Sequence, residues 1–250
     1  MTNKYMIIVQ ARLNSTRLPR KVLLKTSNDY RPTLIEFMYK RLIENCQIPV
    51  VYAIPLNTSD DELANFLALQ NIKFYRGSEN DLMSRYMVGA EMFSVENIIR
   101  VTSDCPLVDP RLIASMVVHF EQRKLDYLGN TTPPERSTFP DGSDIEIFTI
   151  DALRRANCEV KDSRYREHVT FQFWDKKSNY VSETFNQTKS FSQLRYTIDN
   201  QEDVEVFNII NDQLIEKSKN YCGYAEIQNF LHDHKNIQKI NQKFKPGDNW

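Results

Sequence analysis

The sequence predicts an α/β fold, with a mostly parallel sheet, helices on its faces and an inserted arm. Three observations carry this. Short apolar runs alternate with longer amphipathic ones along the first half of the chain. Their order reads β-α-β-α-β, which requires crossover connections and therefore a parallel sheet. No repeat with a period of about 20–50 residues is visible, so solenoid architectures are set aside.

The elements follow in order. Tyr5–Gln10 (YMIIVQ) suits a strand buried on both faces. Across Pro32–Cys46, apolar Leu34, Ile35, Phe37, Met38, Leu42 and Ile43 recur at helical spacing behind a helix-starting proline. Val50–Ile54 is the next strand. Ser59 is expected to cap a helix over Asp60–Gln70, whose first turn is acidic where the helix dipole favours negative charge. Lys73–Tyr75 reads as a strand, Asp81–Phe93 as a helix, Asn97–Val101 as a strand, and Arg111–Gln122 as a helix with Asp109 as N-cap before Pro110.

After Asp126–Gly129 the rhythm changes. Thr131–Gly142 holds three of the ten prolines and reads as an exposed flap. Ile145–Thr149 alternates like a half-buried strand. Helices are expected at Asp151–Cys158 and Arg166–Trp174, strands at Val181–Phe185 and Leu194–Ile198, and a helix at Asp203–Glu216. From Tyr221 onward the tail is polar. Residues 1–250 are therefore expected to form one domain, with an inserted arm over about 131–185.

Composition bounds the function. The 250 residues carry 32 Lys+Arg against 33 Asp+Glu, a formal charge of -1, which gives no global reason to expect nucleic-acid binding. With 41% hydrophobic and 26% charged residues, disorder, collagen and a disulfide scaffold are all excluded. No apolar run approaches the roughly 18 residues that span a bilayer, and Met6–Val9 is too short for a signal-peptide core. A cytoplasmic protein with no membrane association is expected. Cys46, Cys105, Cys158 and Cys222 are scattered with no C-x-x-C pair, so reduced thiols are expected.

In open parallel sheets, ligands bind beyond the carboxyl ends of the strands. The residues just after each strand are where chemistry is to be sought. Gln10–Lys21 (QARLNSTRLPRK) crowds Arg12, Arg17, Arg20 and Lys21 behind the first strand, with Ser15 and Thr16 as hydroxyl donors. Asn14 can take a left-handed backbone conformation there. A triphosphate needs several fixed donors, and Arg offers planar bidentate contacts. The plainer alternative is a solvated basic loop. The loop is neither a Walker A sequence nor G-x-G-x-x-G, so a P-loop ATPase and a dinucleotide enzyme are unsupported.

Q-A-R-x-x-S-T-R-L-P-x-K resembles the nucleotide-binding loop of the cytidylyltransferases that activate sugar acids. The resemblance is greatest to the branch concerned with spore-coat polysaccharide biosynthesis. The 3-deoxy-manno-octulosonate and acylneuraminate cytidylyltransferases are more distant. Further matches follow in order: Arg76-Gly77-Ser78-Glu79, Val101–Pro110 (VTSDCPLVDP), and Phe139-Pro140-Asp141-Gly142 with Asp144 and Glu146. Arg166–Thr170 (REHVT) and Thr197-Ile198-Asp199-Asn200 with Glu202-Asp203 complete the set. This branch carries Gly at Asn14 and Arg20, and a Gly-rich turn at Lys25–Arg31, so the loop here is more basic than in its relatives.

The resemblance implies a Rossmann-like sheet of the nucleotide-diphospho-sugar transferase type and a CTP-dependent transfer of CMP with release of pyrophosphate. It implies that Arg12, Arg17, Lys21 and Asp104 are catalytic, and that Ala11, Ser15, Arg76, Gly77 and Ser78 join them around the nucleotide. A small Ala53 near the end of the second strand suits a base lying against the sheet, with ordinary packing as the alternative. Asp104 and Asp199 are implied to hold Mg²⁺, a hard ion suited to carboxylate and phosphate oxygens. Without the resemblance, a turn-forming Asp104 and a helix-capping Asp199 would serve as well. On the acceptor side, Asp141, Asp144, Glu146, Arg166 and His168 are expected in the flap and arm, with Arg85, Tyr86 and Glu167 nearby. The acceptor is expected to be a small molecule such as a sugar acid, with a phosphorylated sugar, polyol or amino acid as the alternative. A homodimer through the arm is implied by the resemblance alone. His232-Asp233-His234 is expected to be solvated. The chain contains no D-x-D, which weakens a metal-dependent glycosyltransferase reading.

Overall fold

Seven strands form one sheet in the order β3-β2-β1-β4-β6-β5-β7. The structure is a computed structural model and describes residues 3–27, 31–175, 178–219 and 221–245. Residues 28–30, within the stretch where a Gly-rich turn would stand, and the final residues 246–250 lie outside the described residues.

Strands β1 (Asn3–Gln10), β2 (Val50–Pro55), β3 (Phe74–Gly77) and β4 (Val95–Thr102) pair in parallel, with Gln10 opposite both Ala53 and Thr102. Side chains alternate across this layer, as a period of two requires. Ile7 and Val9 enter the core on one face, while Met6 and Ile8 enter the core on the other. Both faces are buried, which is why these strands read as continuous apolar runs.

Helices α1 (Leu34–Asn45) and α2 (Asp61–Leu69) follow β1 and β2. Helix α1 begins with a reciprocal cap in which Thr33 Oγ1 accepts from Glu36 N and Glu36 Oε2 accepts from Thr33 N. Ser59 does not cap α2. Asn57 takes that place, its side chain accepting from Asp60 N at 2.9 Å at the start of a short 3₁₀ turn. Asp60 is thereby turned inward, where its carboxylate accepts from Leu13 N at 2.7 Å and ties the cationic loop to α2. The left-handed residue of that loop is Arg20 (φ 62°), not Asn14. Arg20 is one of the two positions expected to be Gly in relatives, and its guanidinium is held by Glu62.

Helices α3 (Leu82–Met92) and α4 (Pro110–Arg123) complete the first half. Asp109 caps α4 through Arg111 N at 2.8 Å, as expected. Strand β5 (Tyr127–Gly129) lies in the short stretch where the rhythm changes. Strand β6 (Glu146–Thr149) inserts antiparallel between β4 and β5, placing Glu146 opposite Arg100. The segment 131–185 therefore contributes to the central sheet as well as supplying α5 (Ile150–Glu159), α6 (Ser163–His168), α7 (Phe171–Trp174) and β7 (Ser182–Thr184).

The helix expected over Arg166–Trp174 is broken in two. Val169 adopts φ 51°, outside the helical region and unusual for a β-branched residue. The break ends α6 at His168.

Leu194–Ile198 forms no strand. Its backbone donors go to loops instead: Tyr196 N to Asp141 O, Thr197 N to the same oxygen, and Ile198 N to Asp104 O. The same hydrogen-bonding need is met without a ladder, and the segment stitches the two acidic loops together.

Helix α8 (Gln201–Ile210) ends in a π turn over Asn211–Ile215. The polar tail folds into α9 (Tyr224–Asp233) and α10 (Lys235–Asn241), which bury Ile227, Leu231 and Ile237 against α8 and α1. Among the described residues no helix is long and apolar enough to cross a membrane.

Candidate active site

The carboxyl ends of β1 and β4 open into a cleft with two lobes, of about 220 and 250 Å³. Gln10, Arg17, Arg100, Thr102, Asp104, His168 and Asp199 belong to the wall of both. The first lobe is finished by the cationic loop, the second by the proline-rich flap.

In the first lobe, Ala11, Arg12, Ser15, Thr16, Arg17 and Lys21 line one side, and Glu79, Leu82 and Arg85 the other. Arg85 is buried, and its guanidinium donates to the carbonyls of Ser78 and Glu79 at 2.6–3.1 Å. Burial lowers its proton affinity, and the nearby charge of Arg12 lowers it further. Two guanidinium groups held close in one lobe favour an anionic guest.

Lys21 lies at the floor. Its Nζ donates to Asp199 Oδ1 at 2.9 Å, to Ile198 O at 2.7 Å and to Asp104 Oδ2 at 3.3 Å. Arg17 Nη2 reaches the same Asp199 oxygen at 2.9 Å. The cationic loop and the two distant aspartates thus converge on one point. Burial alone would lower Lys21, but Asp104 and Asp199 outweigh it and raise it. Burial alone would raise Asp199, but Lys21 and Arg17 outweigh it and bring it down to about 2.

In the second lobe, Asp141 and Asp144 face Thr131, Phe139, Arg195 and Thr197. Asp144 accepts from Thr131 Oγ1 and from Gly142 N, each at 2.7 Å. Burial raises both carboxyls; for Asp141 the neighbouring Asp144 adds to this and Arg195 opposes it. His168 stacks on Phe171 with centroids 4.3 Å apart, and burial lowers its pKa, which leaves the ring neutral near pH 7.

Asp104 and Asp199 present hard oxygens to one shared cationic point, now held by Lys21 Nζ. Around it Lys21, Arg17 and Arg195 face five carboxyl groups, Asp104, Asp141, Asp144, Asp199 and Asp203. Asp104 and Asp199 supply hard oxygens from two sides of one point, a donor pair that fits a divalent cation completing its shell with phosphate oxygens.

Other expected site residues lie elsewhere. Arg76 turns away from the cleft, bonding Pro55 O at 3.0 Å, Asp61 at 2.6 Å and the carbonyl of Asn57. It braces the β2–α2 connection. Gly77 is required for packing: a Cβ there would stand 2.7 Å from Arg85 Cγ. Ser78 contributes its carbonyl to Arg85 and stands outside the lining. Ala53 is fully buried within the sheet core. Glu146 is buried beneath the cleft, paired with Arg100 and bonded by Tyr127 at 2.6 Å. Arg166 clamps α6 to α3 through Asp81 at 2.7 Å and to α5 through Asn157 and Val160. Arg76 and Arg166 thus brace elements beside the cleft, while Glu146 holds Arg100, which lines it.

Sequence reasoning missed Gln10, Arg100 and Arg195. Arg100 Nε donates to Gln10 Oε1 at 3.1 Å, and the Tyr86 hydroxyl meets the same oxygen at 3.1 Å. For Arg100 the available signal was a charged residue within the apolar run Ile98-Ile99-Arg100-Val101.

A cytidylyltransferase family model matches residues 6–243. An uncharacterized protein of Methanocaldococcus jannaschii is 26% identical over 95% of this chain and 94% of its own length. The spore coat polysaccharide biosynthesis protein SpsF of Bacillus subtilis is 29% identical over 81% of this chain and 84% of its own. Among solved structures, a cytidylyltransferase from Leptospira borgpetersenii superposes with a TM-score of 0.84 at 28% identity, covering 94% of this chain and 96% of that one. A CMP:2-keto-3-deoxy-manno-octonic acid synthetase solved with CTP shares the fold, with a TM-score of 0.62 at 14% identity over 84% and 99% of the two chains. With nearly the whole chain matched and the cationic loop meeting both aspartates, the protein belongs to the cytidylyltransferase family.

Proposed function

We propose that this enzyme transfers CMP from CTP to a sugar acid or related precursor of a surface polysaccharide, releasing pyrophosphate. The observation that carries the reading is the contact of Lys21 with both Asp104 and Asp199 at the junction of the two lobes. The acceptor class is supported by the similarity to SpsF and by a second lobe rich in hydrogen-bonding side chains, Thr131, Ser137, Ser192 and Thr197.

The reaction asks little covalent chemistry of the protein. An acceptor oxygen attacks the α-phosphorus in line with departing pyrophosphate, so positioning and charge neutralisation dominate. Arg12, Arg17 and Lys21 hold the triphosphate and offset charge on the leaving group. Asp104 and Asp199 would hold Mg²⁺, which when bound polarises phosphate oxygens and lowers the proton affinity of a coordinated oxygen. Neutral His168, open to both lobes, hydrogen-bonds the acceptor where it approaches the α-phosphate. Asp141 and Asp144 receive its hydroxyl groups.

Pyrophosphate release with CTP, UTP, ATP and GTP against a panel of sugar acids tests this. CTP with a sugar acid is expected to turn over and give a CMP monoester. A diphosphate-linked product from phosphorylated acceptors alone would overturn the acceptor assignment. Turnover with another nucleotide in place of CTP would overturn the donor.

A further inference from the structure

Arg195 occupies the centre of the acidic cluster, and we propose that it is the positioning residue that orients Asp199 toward the divalent cation. The proposal rests on the cytidylyl-transfer reading. It concerns a residue that lies on a segment with no regular structure.

The geometry is specific. Arg195 is buried, with its side chain 5% exposed. Nε and Nη2 make a two-pronged contact with Asp203, both at 3.0 Å. Such a fork fixes the plane of the guanidinium as well as its position. Nη2 also reaches Asp199 Oδ2 at 3.2 Å, and Nη1 meets Asp141 of the acceptor lobe. Asp203 is itself immobilised: Oδ2 accepts from Asp199 N at 3.0 Å and Asn200 N at 2.9 Å. Asn241, buried in α10, donates to Asp203 Oδ1 at 2.9 Å and to Arg195 O at 3.3 Å.

Asp199 is therefore gripped from two sides. Its Oδ1 faces Lys21 and Arg17, which belong to the nucleotide loop and have phosphate oxygens as their alternative partners. Its Oδ2 faces Arg195, which is buried in the fold and anchored from behind. When the loop cations turn to the triphosphate, Arg195 is the partner left to hold the Asp199 carboxylate in place. Groups behind a metal-binding carboxylate typically change metal affinity by about 10–100-fold. Lysine, a point charge, cannot reproduce a fork shared among three carboxylates. The same network gives the C-terminal helices a role: α10 braces the site through Asn241.

The test uses the full chain and Mn²⁺ as a paramagnetic probe. Free Mn²⁺ is titrated by electron paramagnetic resonance into protein saturated with CTP, without acceptor. Arg195→Lys is expected to weaken Mn²⁺ about tenfold and Asn241→Ala about threefold, with metal-free CTP binding unchanged. A purely structural role would lower the melting temperature of both variants and leave their Mn²⁺ affinity at the wild-type value, which would overturn the proposal. Should Arg195→Lys fail to fold, Asn241→Ala decides alone on the same criterion. Failure of the wild type to bind Mn²⁺ with CTP would overturn the cytidylyl-transfer reading and the proposal with it. Wild-type binding matched by both variants would overturn the proposal only.

Discussion

Lys21 Nζ lies between Asp199 Oδ1 at 2.9 Å and Asp104 Oδ2 at 3.3 Å. One ammonium group thus pairs with two carboxylates brought from positions 83 and 178 residues away along the chain. The contact explains how a loop after the first strand and the segments after β4 and before α8 form a single site. It also gives the first prediction. Lys21→Met removes a buried cation shared by Asp104 and Asp199; Asp199 keeps Arg17 and Arg195, but breaking the buried pairing still costs about 3–5 kcal/mol. At this chain length a melting temperature lower by roughly 6–20 °C is expected in calorimetry, with turnover lost. A variant as stable as the wild type would contradict the pairing.

Asp104 stands apart from Asp199 in exposure, with side chains 31% and 12% exposed. Asp104→Asn is therefore expected to keep the fold and abolish turnover by about a thousandfold or more, since a charge needed for the metal is gone. Circular dichroism should match the wild type while pyrophosphate release falls. Near-normal release would remove Asp104 from the metal site.

Arg12 and Arg76 make a matched pair, because both are basic residues of the expected nucleotide site and only Arg12 lines the cleft. Arg12→Ala is expected to raise the KM for CTP by about 10–100-fold, the worth of one or two hydrogen bonds to a charged group. Arg76→Ala is expected to leave that KM within about twofold and to lower stability by roughly 1 kcal/mol through the β2–α2 connection. Steady-state kinetics with denaturant unfolding separates the two, and equal effects on KM would contradict the placement of Arg76.

Much of the fold was legible because its signal is local. The parallel half reads as alternating apolar runs, and the cap at Asp109 is built from adjacent residues. What was missed depends on distant partners. Leu194–Ile198 has the alternation of a strand, yet its donors find the carbonyls of Asp141 and Asp104 first. The tail looks solvated because its few apolar residues are diluted by polar ones. Ile227 and Leu231 are nevertheless four apart and enter the core together. The cationic loop and Asp104, Asp141, Asp144 and Asp199 were legible by type, and they line the cleft. Arg76, Glu146 and Arg166 were misplaced because a charged side chain near a sheet edge serves equally well as a brace, and only the three-dimensional partners decide.

The depressed Asp199 carboxyl, at about 2 against an ordinary value near 3.9, makes a pH-dependent contribution to stability. Its pKa is lowered on folding, so the contribution is complete above pH ~4 and is lost as pH falls toward ~2. The stability gap between wild type and Asp199→Asn should then narrow by about 2 kcal/mol between pH 5 and pH 2. Urea unfolding across that range measures it. A gap independent of pH would mean that Asp199 is not held by Lys21 and Arg17.

The proposed reaction requires the basic loop and the two aspartates to converge around one nucleotide and its metal. A crystal of the enzyme grown with CTP and Mn²⁺ measures this directly, through anomalous density for the manganese. A manganese peak shared by the Asp104 and Asp199 carboxylates is expected, with the triphosphate lying along Arg12, Arg17 and Lys21. Manganese or nucleotide bound away from those five side chains would contradict the account.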